Sequence, residues 1–133
     1  MRGNMVEKRR YVRVDVPIRV GYRLPGKKVS KGEALSKNIG RMGICIHLSR
    51  TFAVGSLLKL TLGIPGASEP LETEARVVWV DKTEKGDEGF RTDYEAGLTF
   101  TSLSNVARAS IINFICESVK KRKEVRIPSA NLP

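Results

Sequence analysis

The sequence predicts a mainly β domain, an antiparallel barrel or sandwich of six strands that is followed by one C-terminal α-helix. Short segments of alternating apolar and polar residues follow one another, and turn residues rather than helical segments separate them. After residue 104 the apolar residues adopt a helical period instead. The chain has 133 residues, about the length of one domain, and the sequence shows no internal repeat.

The first predicted strand is the longest alternating segment. From residue 12 to residue 24 an apolar residue occupies every second position. Pro17 falls on the outer face, where it indicates an edge strand or a bend. Further strands are predicted within residues 29–37, 44–48, 58–64, 71–79 and 90–101. In the segment 71–79, Val77 and Trp79 are predicted to face the same side.

A helix is predicted over residues 105–121, which contain no glycine or proline. Ser104 is suited to the N-cap, and the basic residues at 120–123 suit the negative end of the helix dipole. The apolar face of this helix is expected to pack across the strands. The predicted organisation is a flexible N-terminal arm at 1–8, a single domain at 9–122 and a disordered tail at 123–133.

The net charge of +10 is concentrated at the two ends of the chain. Residues 1–31 contain ten Lys or Arg against two acids, and residues 120–133 contain five against one. Such a local excess attracts an anionic partner, so the charge is compatible with nucleic acid, a nucleotide or an acidic protein. No apolar segment approaches the ~20 residues of a membrane-spanning helix, and no secretory signal is visible. A cytoplasmic protein is expected.

Neither a catalytic site nor a metal site is predicted. His47 is the single histidine, and no Ser or Cys nucleophile lies in a recognisable motif beside it. Cys45 and Cys116 are far apart, which favours two reduced thiols, one on the sheet and one on the helix. Glu72 and Glu74 share one strand face and are interpreted as solvated charges. The chain is therefore predicted to be a non-enzyme without a metal or cofactor.

Three arginines, Arg9, Arg10 and Arg13, lie within five residues at the beginning of the first strand. A guanidinium group is permanently charged and donates two parallel hydrogen bonds, so it pairs with a phosphate or with O6 and N7 of guanine. Arg9 and Arg13 lie roughly 13 Å apart along an extended chain, a separation that suits a large ligand such as a dinucleotide. The alternative is a solvated basic arm that flanks a strand.

A second segment, Asn38-Ile39-Gly40-Arg41-Met42-Gly43, is predicted to be a turn between strands. Glycine permits a positive φ and lets a ligand approach the main chain. The Asn38 side chain offers a donor and an acceptor, and free N–H groups in such a turn can form an anion-binding nest. The alternative is a plain turn without a ligand.

Together the two segments resemble the signature of the PilZ domain family, which is RxxxR followed by [D/N]xSxxG. Arg9 and Arg13 match the first motif, and Asn38, Gly40 and Gly43 occupy the second about 25 residues later. Residues 75–79 (Ala-Arg-Val-Val-Trp) and 96–100 (Ala-Gly-Leu-Thr-Phe) resemble late strands of the family, and the closing helix also fits. The resemblance extends over roughly residues 7–119.

The resemblance implies a six-stranded antiparallel β-barrel with a C-terminal helix. It implies a non-catalytic receptor that binds cyclic di-GMP, changes conformation and signals to a protein effector in motility, biofilm or secretion control. The implied ligand contacts come from Arg9, Arg10 and Arg13, which would clamp phosphates and guanine edges, and from Asn38, which would contact a guanine. Gly43 would keep the turn tight.

Gly40 departs from the family signature, which has serine at that position. Loss of the hydroxyl is expected to weaken ligand binding by about 0.5–1.5 kcal/mol. One alternative function is therefore a PilZ-like adaptor that no longer binds cyclic di-GMP. Another is a small basic nucleic-acid-binding barrel, which is disfavoured because most of the four Phe, three Tyr and one Trp occupy apparent core positions. The sequence leaves open whether one or two ligand molecules bind and whether the chain forms a homodimer.

Overall fold

The computed structural model describes residues 12–26, 31–84 and 92–131. Within these residues the chain forms seven β-strands and one α-helix. In chain order they are β1 (Arg13–Val14), β2 (Arg19–Arg23), β3 (Lys31–Gly40), β4 (Gly43–Leu48), β5 (Leu57–Gly63), β6 (Leu71–Glu84), β7 (Thr92–Ser102) and α1 (Asn105–Asn131). The strand-rich order with one closing helix confirms the predicted mainly β class.

Six of these strands close into a barrel. Antiparallel pairing runs in the order β3–β2–β5–β6–β7–β4, and β4 then pairs with β3 to complete the circle. Closing a sheet removes the unpaired edges that an open sheet would expose. β1 is a short additional strand that pairs with the far end of β3. The strand pattern predicts either a barrel or a sandwich, and the structure is a barrel. It has the six strands that the family resemblance implies.

The interior of the barrel is filled by the alternating apolar residues. In β2 and β5, Val20, Leu58, Leu60 and Leu62 are each no more than 1% exposed. Successive side chains of a strand point to opposite faces, so the sequence alternation translates directly into this buried set. Burying one such side chain stabilises the fold by about 1.5–3 kcal/mol. The interior assignment of these two strands is confirmed.

The first predicted strand is interrupted, because residues 15–18 leave the ladder. Pro17 has no N–H group and cannot donate a ladder hydrogen bond. The hydroxyl of Ser36, a residue of β3 that is 2% exposed, accepts a hydrogen bond from Ile18 N at 2.9 Å and donates one to Val16 O at 3.0 Å. These contacts hold β1 as a separate strand at the end of β3, where Arg13 lies beside the predicted turn.

An irregularity in β6 changes the side on which Trp79 lies. The register with β7 shifts between Val77 and Trp79. Val77 is fully buried, whereas Val78 and Trp79 are 45% and 39% exposed. The prediction that Trp79 shares the face of Val77 is wrong, because a bulge adds one residue and turns the following side chain to the opposite face.

The helix α1 packs one apolar face against the barrel. The buried face contains Ala107, Ile111, Phe114 and Ile115, each no more than 9% exposed. Ser104 Oγ accepts a hydrogen bond from Ala107 N at 3.0 Å, which confirms the predicted N-cap. The helix is thus fixed at its start and along its first three turns.

The end of α1 lies beyond the predicted end at Lys121. The helix continues to Asn131, through most of the segment 123–133 that the sequence interpretation assigned to a disordered tail. Lys123, Glu124 and Arg126 of this segment are of residue types that favour a helix, and no glycine or proline occurs before Pro128. No helix in the described part of the chain is both long and apolar enough to cross a membrane.

Candidate ligand-binding site

Four residues from four neighbouring strands form one row on the outside of the barrel. Asn38 of β3 pairs with Cys45 of β4. Cys45 pairs with Gly97 of β7, and Gly97 pairs with Trp79 of β6. The two central residues are small, and the two outer residues carry an amide and an indole. The row is therefore a shallow trough with a polar end and an aromatic end.

The row lies in a cleft of about 330 Å³. Besides the row, the cleft is bordered by Arg13 of β1, by Gly40 and Gly43 at the facing ends of β3 and β4, and by Arg41 between them. The side chains that line it thus include two guanidinium groups and one amide. This combination suits an anionic ligand that also has polar edges and a flat ring system.

Trp79 lies over Gly97 at the aromatic end of the cleft. A β-carbon added to Gly97 would overlap Nε1 of the Trp79 indole, so any larger residue would displace the ring. Gly97 itself is buried beneath the indole. Trp79 is 39% exposed, and its indole borders the cleft with a π surface on which a nucleobase can stack.

Arg13 reaches the cleft because Gly40 has no side chain. Arg13 is the register partner of Gly40. A β-carbon at Gly40 would lie 3.1 Å from Val12 O and 3.3 Å from Arg13 Cγ, closer than an ordinary contact. The glycine at this position therefore lets β1 approach β3 closely and places the Arg13 side chain at the rim of the cleft.

Gly43 is required by the proximity of another strand rather than by its own dihedral angle. Among the described glycines, only Gly26, Gly55 and Gly66 have a positive φ, so the positive φ expected for the turn glycines is not observed. A β-carbon on Gly43 would instead overlap the backbone oxygen of Leu98 in β7. Gly43 thus allows β4 to approach β7, and this is the physical reason for a glycine at the end of the motif.

The thiol of Cys45 is a neutral part of the cleft floor. Burial, reinforced by the negative charge of Glu95, raises the pKa of Cys45 to about 11. At neutral pH the thiol is therefore protonated and adds no negative charge that would repel an anion. Cys116 is exposed on α1, and both cysteines are free, as predicted.

Glu95 lies beside the cleft, and its charge is paired with Lys37. Lys37 Nζ lies 3.3 Å from each carboxylate oxygen of Glu95. His47 Nδ1 lies 3.9 Å from Glu95 Oε2, and its side chain is 44% exposed. The prediction that His47 is a strand-face residue is confirmed. Within the described residues, no cluster of three or more His, Cys, Asp or Glu side chains is arranged to hold a metal.

The structure brings four of the six predicted site residues together. Arg13, Asn38, Gly40 and Gly43 all border the cleft. Arg9 and Arg10 lie outside the described residues. The sequence interpretation missed the cleft residues Trp79, Gly97 and Cys45. Trp79 and Gly97 could have been identified from segments 75–79 and 96–100, which resemble family strands. The sequence interpretation assigned no role in ligand binding to either segment.

Comparison with known proteins places this architecture in a family. The PilZ domain family matches residues 7–117. No curated protein is a significant match to the sequence.

Several solved structures share the fold. The motility inhibitor MotI/DgrA of Bacillus subtilis is 21% identical with a TM-score of 0.70, over 86% of this chain and 52% of that protein. The PilZ domain of YcgR from Escherichia coli with c-di-GMP is 14% identical with a TM-score of 0.66. The match covers 94% of this chain and 99% of that domain. MrkH of K. pneumonia in its complex with c-di-GMP is 14% identical with a TM-score of 0.67. The match covers 87% of this chain and 54% of MrkH.

This chain spans about half the length of MotI/DgrA and of MrkH, and nearly all of the YcgR domain. At these identities the likeness concerns the fold. The family match covers most of the chain and includes both motifs that border the cleft. The protein therefore belongs to the PilZ domain family.

Proposed function

We propose that the cleft binds cyclic di-GMP and that the protein is a non-catalytic receptor for this nucleotide. The observation that carries the proposal is the convergence of Arg13, Asn38 and Trp79 on one cleft. Cyclic di-GMP has two phosphates and two guanines, which match a guanidinium, an amide and an aromatic face. Structures of the YcgR domain and of MrkH, which share the fold, contain this nucleotide.

Each cleft residue has a role that its chemistry supports. The Arg13 guanidinium pairs with a phosphate or with guanine O6 and N7. The Asn38 amide reads a polar guanine edge, and the exposed Trp79 ring stacks on a base. Arg9 and Arg10 supply further guanidinium groups from the sequence directly before β1. The neutral thiol of Cys45 and the paired carboxylate of Glu95 leave the local potential favourable for an anion.

The receptor acts on a protein effector through a conformational change. Arg13 belongs to a two-residue strand at the end of the barrel, and a ligand held by this strand and by the barrel wall changes the free energy of their association. The change would be read by a cytoplasmic partner in motility, biofilm or secretion control.

A calorimetric titration combined with tryptophan fluorescence tests the proposal. Trp79 is the only tryptophan of the chain, so its emission reports on the cleft alone. Addition of cyclic di-GMP is expected to release or absorb heat with saturation and to change the emission over the same concentration range. Cyclic di-AMP serves as the control, because adenine lacks the O6 acceptor that Arg13 would bind. Neither heat nor an emission change at high micromolar nucleotide would exclude the receptor function.

Substitutions of Gly40 separate the receptor from a PilZ-like adaptor that has lost its ligand. In Gly40→Ala the added methyl group meets Val12 O, so β1 is displaced and the affinity for cyclic di-GMP is expected to fall several-fold. Gly40→Ser adds the same β-carbon together with a hydroxyl. The serine variant is therefore expected to bind up to about tenfold more tightly than the alanine variant, the worth of one hydrogen bond.

Two outcomes of the titrations with the Gly40 variants would contradict these expectations. If only Gly40→Ser binds cyclic di-GMP and the natural chain does not, the protein is an adaptor whose site was lost with the hydroxyl. If Gly40→Ala binds as tightly as the natural chain, the close approach of β1 does not contribute to binding.

A further inference from the structure

Three cations lie side by side on the outer face of the barrel, at the end of β3 that is remote from the cleft. Arg23 of β2 is the register partner of Lys31 in β3 on one side and of Lys59 in β5 on the other. All three side chains are exposed. We call these three residues the cationic row. Because Asn38 and Gly40 lie at the opposite end of the same ten-residue strand, the row is at least about 23 Å from the nucleotide cleft along β3.

No member of the cationic row forms an ion pair within the described part of the protein, although carboxylates lie on the same face. The contacts of this kind found there join Lys37 and His47 to Glu95, and neither of them includes a member of the row. The nearest acid in register is Glu74, the partner of Lys59. Its carboxylate accepts a hydrogen bond from Thr101 Oγ1 at 3.4 Å instead. Arg23 faces a like charge on both neighbouring strands, and such pairs destabilise a sheet, so a bound anion would relieve a free-energy cost there. Glu74 offsets this cost in part, on the Lys59 side only.

A groove of about 960 Å³ extends along the barrel surface from the cationic row. Gly21 and Gly63 form its floor, on the paired strands β2 and β5. A β-carbon at Gly21 would meet Thr61 Cβ at 3.6 Å, an ordinary contact, so no neighbouring side chain fills the space above this glycine. Arg19 lies at the far end of the groove, four residues from Arg23. The groove is therefore long enough for an extended segment and has a cation at each end.

The charges around the groove distinguish between classes of anionic partner. The row crosses three strands and is about 10 Å wide, which exceeds the size of one carboxylate or phosphate group. In the next register row, Glu33 faces Gly21 on one side and Glu72 faces Thr61 on the other. These carboxylates would repel a continuous polyanion such as nucleic acid. A short segment with a few acidic residues can pair with the cationic row without placing carboxylates over Glu33 and Glu72.

We propose that the cationic row and the adjoining groove bind an acidic segment of a partner protein. Carboxylates of the segment pair with Arg23, Lys31 and Lys59, and its following neutral residues lie over Gly21 and Gly63. The Arg23 guanidinium can hold one carboxylate through two parallel hydrogen bonds, with a lysine on either side for its neighbours. The site is distinct from the nucleotide cleft, so both can be occupied at once.

An NMR titration of the isotope-labelled protein with a ten-residue peptide of three Glu followed by seven Ser tests this site at physiological salt. The amide shifts are expected to map to β2, β3 and β5 around Arg23. The triple variant Arg23→Gln, Lys31→Gln, Lys59→Gln is expected to weaken binding at least about tenfold. The matched control is Lys82→Gln, Arg108→Gln, Lys120→Gln, which removes the same charge from other exposed positions. It is expected to change the dissociation constant less than about twofold.

Each other outcome overturns the proposal. Equal weakening by the two triple variants would show that only net charge matters. Saturation of the row by inorganic phosphate at the same concentration would assign it to a small anion, and equally tight binding of a single-stranded DNA oligomer at this face would assign it to nucleic acid.

Two further measurements keep the result interpretable. The melting temperature of the row variant is expected to stay within about 4 °C of the natural chain, because two like-charge pairs and the opposite-charge pair Lys59–Glu74 are removed together, and a cooperative transition shows that the variant folds. Cyclic di-GMP titration of the same variant is expected to match the natural chain, so loss of peptide binding cannot arise from a damaged cleft.

Discussion

Replacement of Arg13 by alanine is expected to weaken cyclic di-GMP binding roughly 10- to 150-fold. A hydrogen bond to a charged group contributes about 1.5–3 kcal/mol, and each 1.4 kcal/mol corresponds to a factor of ten. Arg13 is exposed and forms no hydrogen bond among those found between described side chains. Its removal should therefore leave the fold intact. Calorimetry gives the affinity, and the melting temperature shows that the barrel is unaffected.

Two companion variants sharpen the test of Arg13. Arg13→Lys retains the positive charge but loses the planar fork, so an affinity between those of the natural chain and Arg13→Ala is expected. Arg19→Ala removes the same charge from an exposed position on β2 outside the cleft, and little change is expected. An unchanged affinity in Arg13→Ala, or equal losses in the Arg13 and Arg19 variants, would contradict the assigned role.

The barrel could be predicted because its determinants are local in sequence. The alternation around Val20 and Leu60 fixes which face of each strand is buried, and a run of such strands with short turns leaves few architectures. The location of Arg13 and Asn38 at one cleft could also be expected, because both residues lie in segments that match one family signature. The net charge of +10, concentrated at the two ends of the chain, further favoured an anionic ligand.

The remaining features depend on contacts between residues far apart in sequence. The bulge that turns Trp79 outwards is a mismatch between β6 and β7, and the four consecutive apolar residues 77–80 do not indicate which of them face the interior. The interruption before β2 depends on Ser36, which lies 18 residues from its partner Ile18. Gly40 and Gly43 were predicted for turn geometry, whereas neighbouring strands are what exclude their side chains.

Replacement of Gly43 by alanine is expected to lower the free energy of unfolding by about 3 kcal/mol, at the upper end of the usual cost of overpacking. The added methyl group would overlap the Leu98 backbone oxygen, and a backbone group in the centre of β7 cannot rotate away as a side chain does. Relief therefore requires β4 and β7 to separate, which weakens ladder hydrogen bonds on both sides. For a chain of this size the melting temperature should fall by about 10 °C.

Comparison of Gly43→Ala with Gly40→Ala isolates the cause of this loss. Gly40 also has a tight neighbour, but that neighbour is Val12 and the two-residue strand β1, which can shift without opening the barrel. Gly40→Ala is therefore expected to affect nucleotide binding more than stability, and Gly43→Ala to affect both. Urea denaturation of the two variants measures the difference in unfolding free energy. Equal stabilities would mean that β7 accommodates the methyl group, and the glycine at position 43 would then have to be explained by the ligand rather than by the barrel.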